Sequence, residues 1–190
     1  MKKVLTIIAL IAASAFSAKA QLRIEAGAGI GDYKVSINSD HTANVTPELK
    51  VMYEFGAFGE GGFDAGFEFR MHKLTNKDIN SKMSISNLDI PFHAYYNLNF
   101  GNLMITPYVG FYAGYAVGGK TTVAKVETSP FDGPQGMKKF DFGFDSEIVI
   151  TLKKHLTFGI GLQNGFINLS KDKDFNCKSN AAYAAVGWRF

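Results

Sequence analysis

The last eleven residues of the chain constrain its fold more than any other segment. Apolar side chains occupy every second position on one face of a predicted strand: Ala182, Ala184, Val186, Trp188 and Phe190. The opposite face carries Ala181, Tyr183, Ala185, Gly187 and Arg189. A soluble sheet has little reason to end on an apolar face, whereas the last strand of a transmembrane barrel must close against the first and meet lipid. This segment therefore predicts the closing strand of a barrel.

The first twenty residues have the three parts of a secretory signal peptide. Lys2 and Lys3 form the charged region, residues 4–13 form the apolar region, and Ala18-Lys19-Ala20 is a small-x-small cleavage site. The apolar region is too short to cross a bilayer as a helix. We therefore expect a cleaved signal peptide, residues 1–20, followed by one barrel domain, residues 21–190.

Removal of the signal peptide would change the charge of the chain. It takes away three lysines and no acid, so the formal net charge of +3 falls to zero. A neutral mature chain gives no support for nucleic-acid binding. Cys177 is the only cysteine, which excludes an internal disulfide, and we expect it to be a free thiol in a polar loop.

The alternation of apolar and polar residues runs through the rest of the chain. It predicts eight strands, at residues 22–33, 45–55, 62–71, 85–100, 103–117, 139–152, 156–169 and 180–190. Long connections at 34–44, 72–84, 118–138 and 170–179 alternate with short ones. This pattern is typical of outer-membrane barrels. The predicted fold is all-β: an eight-stranded antiparallel transmembrane β-barrel with four short periplasmic turns and four longer extracellular loops.

Aromatic residues fall where the two membrane interfaces should be. Rings with one apolar and one polar end are favoured at headgroup depth. The residues that we expect at the interfaces are Tyr53, Phe63, Tyr96, Phe100, Tyr115, Trp188 and Phe190.

A soluble, lipocalin-like barrel is the structural alternative. Its apolar face points inward, so the alternation alone does not exclude it. The charges and glycines of the polar face suit a crowded barrel interior better than an outer surface. Together with the terminal Trp-Arg-Phe and the alternation of loop lengths, they favour the membrane barrel.

Thirteen charged or titratable residues of the polar face are candidates for a functional lumen. They are Arg23, Glu25, Lys50, Glu54, Asp64, Glu68, Arg70, Asp89, His93, Asp141, Asp145, Glu147 and Arg189. An eight-stranded barrel is only wide enough for its own side chains to fill it, and buried charges must be paired or hydrated. We expect an ion-pair network that plugs the lumen. The alternative hypothesis is a narrow gated pore or a proton path.

Short motifs, clearest from Leu88 onward, resemble one family. These are Asn87-Leu88-Asp89-Ile90-Pro91-Phe92 followed by Tyr96, Ile105-Thr106-Pro107-Tyr108-Val109-Gly110, and Gly187-Trp188-Arg189-Phe190. They are similar to strands of the Bacteroidetes outer-membrane β-barrel domain family, often called PorT-like. The resemblance implies a bacterial outer-membrane location, and one branch of the family is tied to protein secretion. The motifs specify the fold better than a function.

Catalytic and metal sites have little support in the sequence. No G-x-S-x-G elbow occurs, and His41, His72, His93 and His155 are scattered over two loops, a strand and a turn. Alternating glycines at Gly27, Gly29, Gly31, Gly159 and Gly161 lack the following helix of a phosphate loop. We expect them to make room for lumenal Tyr95, Tyr108 and Tyr112. The prediction is no enzyme, no metal and no cofactor.

The functional hypothesis is a structural or surface-interaction role through the extracellular loops. The Gly118–Lys138 loop, expected to be mobile, is the candidate site for a surface ligand. The other expected partners are outer-membrane lipid and the barrel assembly machinery, the latter through the C-terminal Phe190. The alternative hypothesis is a narrow small-solute channel or an accessory of protein secretion across the outer membrane.

Overall fold

The computed structural model describes residues 21–35, 42–76, 80–174 and 176–190. The predicted signal peptide lies outside these residues. The strands are β1 (Gln21–Val35), β2 (Thr42–Phe58), β3 (Gly61–Asn76), β4 (Ser81–Tyr96), β5 (Leu98–Phe100), β6 (Leu103–Val123), β7 (Val126–Thr128), β8 (Phe140–Leu152), β9 (Leu156–Gly165) and β10 (Cys177–Arg189). Within the part of the chain that the structure describes, no helix has the length and hydrophobicity needed to cross a membrane.

The sheet closes on itself. Neighbouring strands pair in the ring order β1-β2-β3-β4-β6-β8-β9-β10, and β10 pairs back onto β1 from Arg23↔Arg189 to Val35↔Cys177. The short strand β5 continues the line of β4 along β6, and β7 folds back onto β6. The predicted eight-stranded antiparallel barrel is therefore confirmed. We call the eight strands of this ring the walls of the barrel; β5 and β7 are short additions to it.

The two ends of the barrel differ. We call the end that holds Gly101-Asn102, Lys153-Lys154 and both Gln21 and Phe190 the turn end, and the opposite end the loop end. Three short connections join strands at the turn end, where four were expected. The place of the fourth is taken by the hydrogen-bonded seam between β1 and β10, because a barrel closes without a covalent link there.

Several strands extend further at the loop end than the alternation predicted. β3 and β4 stay paired as far as Asn76↔Ser81, and β6 runs on to Val123. Most of the expected loop at 72–84 and the first part of the expected loop at 118–138 are therefore strand. The outward positions there are polar, as in Lys73 and Thr75, because these rungs lie above the apolar band. In the sequence, polar residues on both faces of a strand extension resemble a loop.

Two strand ends also differ from the prediction. The strand expected at residues 85–100 is interrupted at Asn97, whose N–H donates to the carbonyl of Glu60 in the neighbouring turn. The strand expected at residues 156–169 ends at Gly165. Beyond that point Leu169 turns inward and is buried over the mouth of the barrel.

The barrel is apolar outside and charged inside. On the outer face Ile160 is 63% exposed and Val109 52%, whereas Arg23, Glu54 and Asp64 are completely buried in the interior. Exposed apolar side chains in a continuous band are stable against lipid and unfavourable in water. A lipocalin-like barrel has the opposite arrangement, so that alternative is wrong.

The residues expected at the membrane interfaces lie on the outer face. Tyr53 is half-buried beside Phe55, with 5.0 Å between the ring centroids. Trp188 stacks on the His155 ring of the neighbouring turn, with the centroids 5.2 Å apart. The others are exposed: Phe63, Tyr96, Phe100, Tyr115 and Phe190.

Candidate functional site

The candidate site is the interior of the barrel. Of the thirteen residues taken from the sequence, twelve are buried and Asp141 is half-buried. They project from six of the eight walls, while β6 and β9 contribute Tyr108, Tyr112, Thr157 and Gln163. The period of two explains this placement, because it sends every second side chain of each strand inward.

Arg23 is the centre of the ion-pair network near the turn end. Its guanidinium lies 2.5 Å from Glu25, 3.1 Å from Glu147 and 3.5 Å from Asp64. It also sits over the ring of Tyr108, 4.6 Å from the centroid. One cation therefore ties together strands β1, β3 and β8 across the lumen.

A second cluster lies around the ring of Tyr183. Lys50 is 3.2 Å from Glu147 and donates to the Tyr183 hydroxyl at 2.9 Å. Arg70 is 3.2 Å from Glu48 and also contacts Glu68. Both cations lie over the Tyr183 ring, at 4.1 and 4.7 Å from its centroid. Cation–π contact in a desolvated site adds to the ion pairs.

His93 bridges two walls of the barrel. Its Nδ1 lies 2.8 Å from a carboxylate oxygen of Asp64, and its Nε2 lies 3.4 Å from one of Asp145. Gln163 donates to the same Asp145 at 3.0 Å. The imidazole, which projects from β4, thus lies between a carboxylate of β3 and a carboxylate of β8. In the ring of strands, β3 is next to β4 on one side, and β8 follows β6 on the other side.

The turn end of the lumen is polar and open. Tyr108 donates to Glu54 at 2.6 Å, and Arg189 contacts the same carboxylate. A cavity of about 240 Å³ lies below them, lined by Gln21, Glu60, Tyr95, Asn97 and Arg189 among others. This cavity is open to solvent, whereas Glu54 and Tyr108 above it are buried.

Some members of the network were absent from the predicted set. Glu48, Thr157, Gln163 and Tyr183 are buried in contact with it. Glu48 and Tyr183 lie in phase with Lys50 and Arg189 on their own strands, and Thr157 and Gln163 lie in phase with the alternating glycines of β9. The alternation therefore places all four on the lumenal face. The alternating glycines also have neighbours other than those expected. A Cβ at Gly161 would meet the Tyr183 ring, and one at Gly31 would meet His72.

Acids outnumber bases in the described part of the lumen. Eight carboxyl groups are buried there, against four permanent cations and His93. A buried charge without a partner is strongly unfavourable, so bound protons or small cations must balance the excess. No group of three or more side chains with the arrangement of a metal site occurs among the described residues.

An apolar cluster closes the loop end. We call it the cap: Tyr33, Leu74, Ile85, Ala116, Phe131, Leu169 and Cys177. Its residues project inward from the extended strands and from two loops. The charged lumen is therefore separated from the loop end by a layer of packed hydrophobic side chains.

The two loops that complete the cap are joined to each other. Lys138 N–H donates to the Leu169 carbonyl at 2.6 Å, and Lys171 N–H donates to that of Gly136 at 3.0 Å. The Lys171 ammonium also donates to the carbonyl of Phe131 at 2.5 Å. The expected mobile loop at Gly118–Lys138 is thus strand in its first part and a folded lid in its last, because burial of Phe131 fixes it over the mouth.

Cys177 and His72 lie in strands, where loops were expected. The Cys177 thiol is buried in the cap at the start of β10, and burial raises its pKa to about 11, with the carboxylates of Asp141 and Asp32 adding to the effect. His72 is buried on the inward face of β3, and its ring lies 5.1 Å from that of Tyr33. Neither residue is available at the surface.

The fold occurs in several solved structures. Ail, the attachment invasion locus protein of Yersinia pestis, superposes with a TM-score of 0.54 at 9% identity over 90% of this chain and 98% of its own. Neisserial surface protein A gives 0.52 at 11% identity, over 89% and 97% of the two chains. OprG of Pseudomonas aeruginosa gives 0.51 at 14% identity, over 90% and 95%. At these identities the likeness is one of fold.

No curated protein matches the chain. The family comparison is more direct, since it matches the outer membrane protein beta-barrel domain over residues 4–190. An inside-out barrel with a charged interior is the structure that such a family requires. The chain belongs to the outer membrane protein beta-barrel domain family.

Proposed function

We propose that this protein is an outer-membrane barrel whose lumen is closed by its own side chains and which acts as a structural or surface-interaction protein. The observation that carries the proposal is the double closure of the lumen. Ion pairs such as Arg23–Glu147 cross the interior, and the cap packs above them. Such a barrel performs no chemistry and presents its loop end as a rigid surface.

The proposed orientation puts the loop end outside the cell and the turn end in the periplasm. Short periplasmic turns and longer outer loops are the rule in this class. A cleaved signal peptide at residues 1–20 would deliver the chain for export. Phe190, exposed beside the seam and bonded through its N–H to the Leu22 carbonyl, is the proposed signal for the barrel assembly machinery.

A surface ligand at the loop end is part of the proposal. The folded lid over the mouth, residues 129–139, offers a fixed surface on which a ligand could dock. A structure of Ail contains the heparin analogue sucrose octasulfate, so a barrel of this fold binds such a ligand. The PorT-like subgroup rests on the sequence motifs alone.

The second candidate function is a narrow channel, or an accessory of protein secretion. The excess of buried carboxyl groups and the open polar cavity at the turn end favour it. A cation path through the lumen would need these carboxylates and would also need the cap to open.

Conductance in a planar bilayer separates the two functions. We expect no steady current from the refolded wild-type protein. A large porin with a water-filled lumen, inserted into the same bilayer, shows that the assay detects an open barrel. Steady cation-selective current through the wild type, reduced in Glu68→Gln, would refute the closed lumen.

A further inference from the structure

Three lysines lie together on the outer face of the barrel at the loop end. Lys73 on β3, Lys82 on β4 and Lys120 on β6 are all exposed, and they lie on adjacent walls. Their inward neighbours Leu74 and Ile85 belong to the cap, which fixes the outward direction of the lysines. We call these three residues the lysine triad.

The strand register places the triad within one small area. Ser84 pairs with Lys73 on one side and with Lys120 on the other. The two lysines are thus two strands apart, about 10 Å. Lys82 pairs with Thr75 and Thr122 on the next outward rung, which makes it a diagonal neighbour of both lysines at about 7–8 Å. Three flexible ammonium groups can therefore converge on one anion.

The height of the triad relative to the apolar band indicates what that anion is attached to. The rung Phe69–Leu88–Tyr115 is the last towards the loop end at which all three walls expose a large apolar side chain. Beyond it, Val117 and Val123 on β6 are the large apolar side chains of these walls that remain exposed. Ser84 is four residues beyond Leu88, about 13 Å along the tilted strand. Tyr115 fits the boundary of the hydrocarbon, so the lysines lie at the depth of the headgroups.

One carboxylate competes for the triad. Glu127 on β7 lies 2.5 Å from the Lys120 ammonium, and both side chains are more than half exposed. An exposed pair of this kind contributes little to stability and exchanges readily with another anion. Glu127 therefore weakens an anion site at the triad without blocking it.

We propose that the lysine triad binds the phosphate groups of an anionic lipid in the outer leaflet of the membrane. The cations supply the attraction, Ser84, Thr75 and Thr122 supply hydroxyl groups, and the apolar band below supplies a surface for the acyl chains. The proposal uses the orientation given above and does not depend on whether the lumen conducts.

The test uses the full mature chain refolded in detergent, with lipid A, an acylated disaccharide that carries two phosphates, as the probe. Lipid retention is measured by native mass spectrometry over a concentration series. A basic residue at a charged lipid surface changes affinity by about fivefold, so K73Q/K82Q/K120Q should bind roughly 100-fold more weakly. E127Q should bind severalfold more tightly.

The matched control is K125Q/K153Q/K154Q, which removes the same charge from the tip of the β6–β7 hairpin and from a turn at the opposite end. It should bind lipid A like the wild type. Both triple variants must show heat-modifiable gel mobility, and single lysine variants, each about fivefold weaker, replace a triple variant that does not fold.

Two further ligands identify the source of the anion. The wild-type protein should bind dephosphorylated lipid A about as weakly as K73Q/K82Q/K120Q binds intact lipid A. Inorganic phosphate at the same concentration should not displace lipid A from the wild type. Equal losses in the triad and control variants would overturn the proposal, as would unchanged binding of the dephosphorylated lipid. Displacement by equimolar phosphate would show a site for a free anion and overturn the lipid assignment.

Discussion

Arg23 and Glu147 are 124 residues apart in the chain, and their charged groups lie 3.1 Å apart in the lumen. Arg23 is on β1 and Glu147 on β8, which are separated by β10 and β9 in the ring of strands. The contact therefore crosses the interior and exists only when the barrel is closed. It links closure of the sheet to neutralisation of buried charge.

Replacing Arg23 should destabilise the barrel strongly. Arg23→Met leaves Glu25, Asp64 and Glu147 without their shared cation, and loss of one partner from a buried ion pair costs about 3–5 kcal/mol. The free energy of unfolding is measured by urea titration in detergent, with the fluorescence of Trp188 as the signal. Lys153→Met, in an exposed turn, is the control and should change it by less than about 0.5 kcal/mol.

The double variant Arg23→Met/Glu147→Gln tests the electrostatic origin of this loss. It removes a carboxylate together with the cation, so it should be more stable than Arg23→Met alone. A double variant that is less stable than the single one would show that packing of the long arginine side chain, and not its charge, matters at this position.

The sequence was enough to predict the walls of the barrel and the direction of most side chains. In a lipid-facing strand the period of two is strong, because lipid excludes charge from the outer face and mostly polar or small residues occupy the inner face. Arg189 and Trp188 could therefore be assigned to opposite faces from their positions alone.

The pairing of charges and the cap could not be predicted in the same way. Which acid meets Arg23 depends on the stagger of strands around the barrel, and the alternation within one strand contains no information on stagger. Phe131 and Leu169 lie in segments without periodicity, and their burial follows from the shape of a mouth that exists only after closure. The lumenal position of Glu48, in contrast, follows from the alternation, since it is in phase with Lys50.

A charge in the middle of the apolar band should destabilise the protein in lipid. Ile160 is outward on β9 between Phe158 and Leu162, and an arginine at the bilayer midplane of a barrel costs about 2–4 kcal/mol. Reversible unfolding from lipid vesicles measures the free energy of unfolding of the Ile160→Arg protein against that of the wild type. The same substitution at the outward Asn164, towards the loop end, should cost about 0–1 kcal/mol. Equal effects at the two positions would contradict the assigned depth of the band.

The turn at Lys153-Lys154 should be improved by glycine. These residues have φ values of 49° and 70°, which L-residues adopt at a penalty of about 1–2 kcal/mol each. Turns with positive φ at both central residues favour Asn-Gly at those two positions. We expect Lys154→Gly to raise the free energy of unfolding by about 1 kcal/mol, with Lys125→Gly, at a φ of 72° in the β6–β7 hairpin, as a comparison at the loop end. A destabilised Lys154→Gly protein would show that the lysine makes a contact that outweighs its strain.

The thiol of Cys177 should report whether the cap is closed. It is the single cysteine and is buried with Phe131, so a maleimide should react slowly with the folded protein and rapidly after urea unfolding. Phe131→Ala removes the central ring of the lid and should accelerate the reaction at least tenfold. Phe140→Ala, on the outward face of β8, removes an equal volume from the surface and should have no effect.

The dependence of the same reaction on pH follows from the pKa of Cys177. Burial raises that pKa to about 11, and the thiolate is the reactive form, so below pH 11 the rate in the folded wild type should rise tenfold for each pH unit. In Phe131→Ala water reaches the thiol, the pKa falls towards its ordinary value near 8.5, and the rate should level off above about pH 9. Profiles of the two proteins that level off at the same pH would contradict the closed cap, because they would place the wild-type thiol in water already.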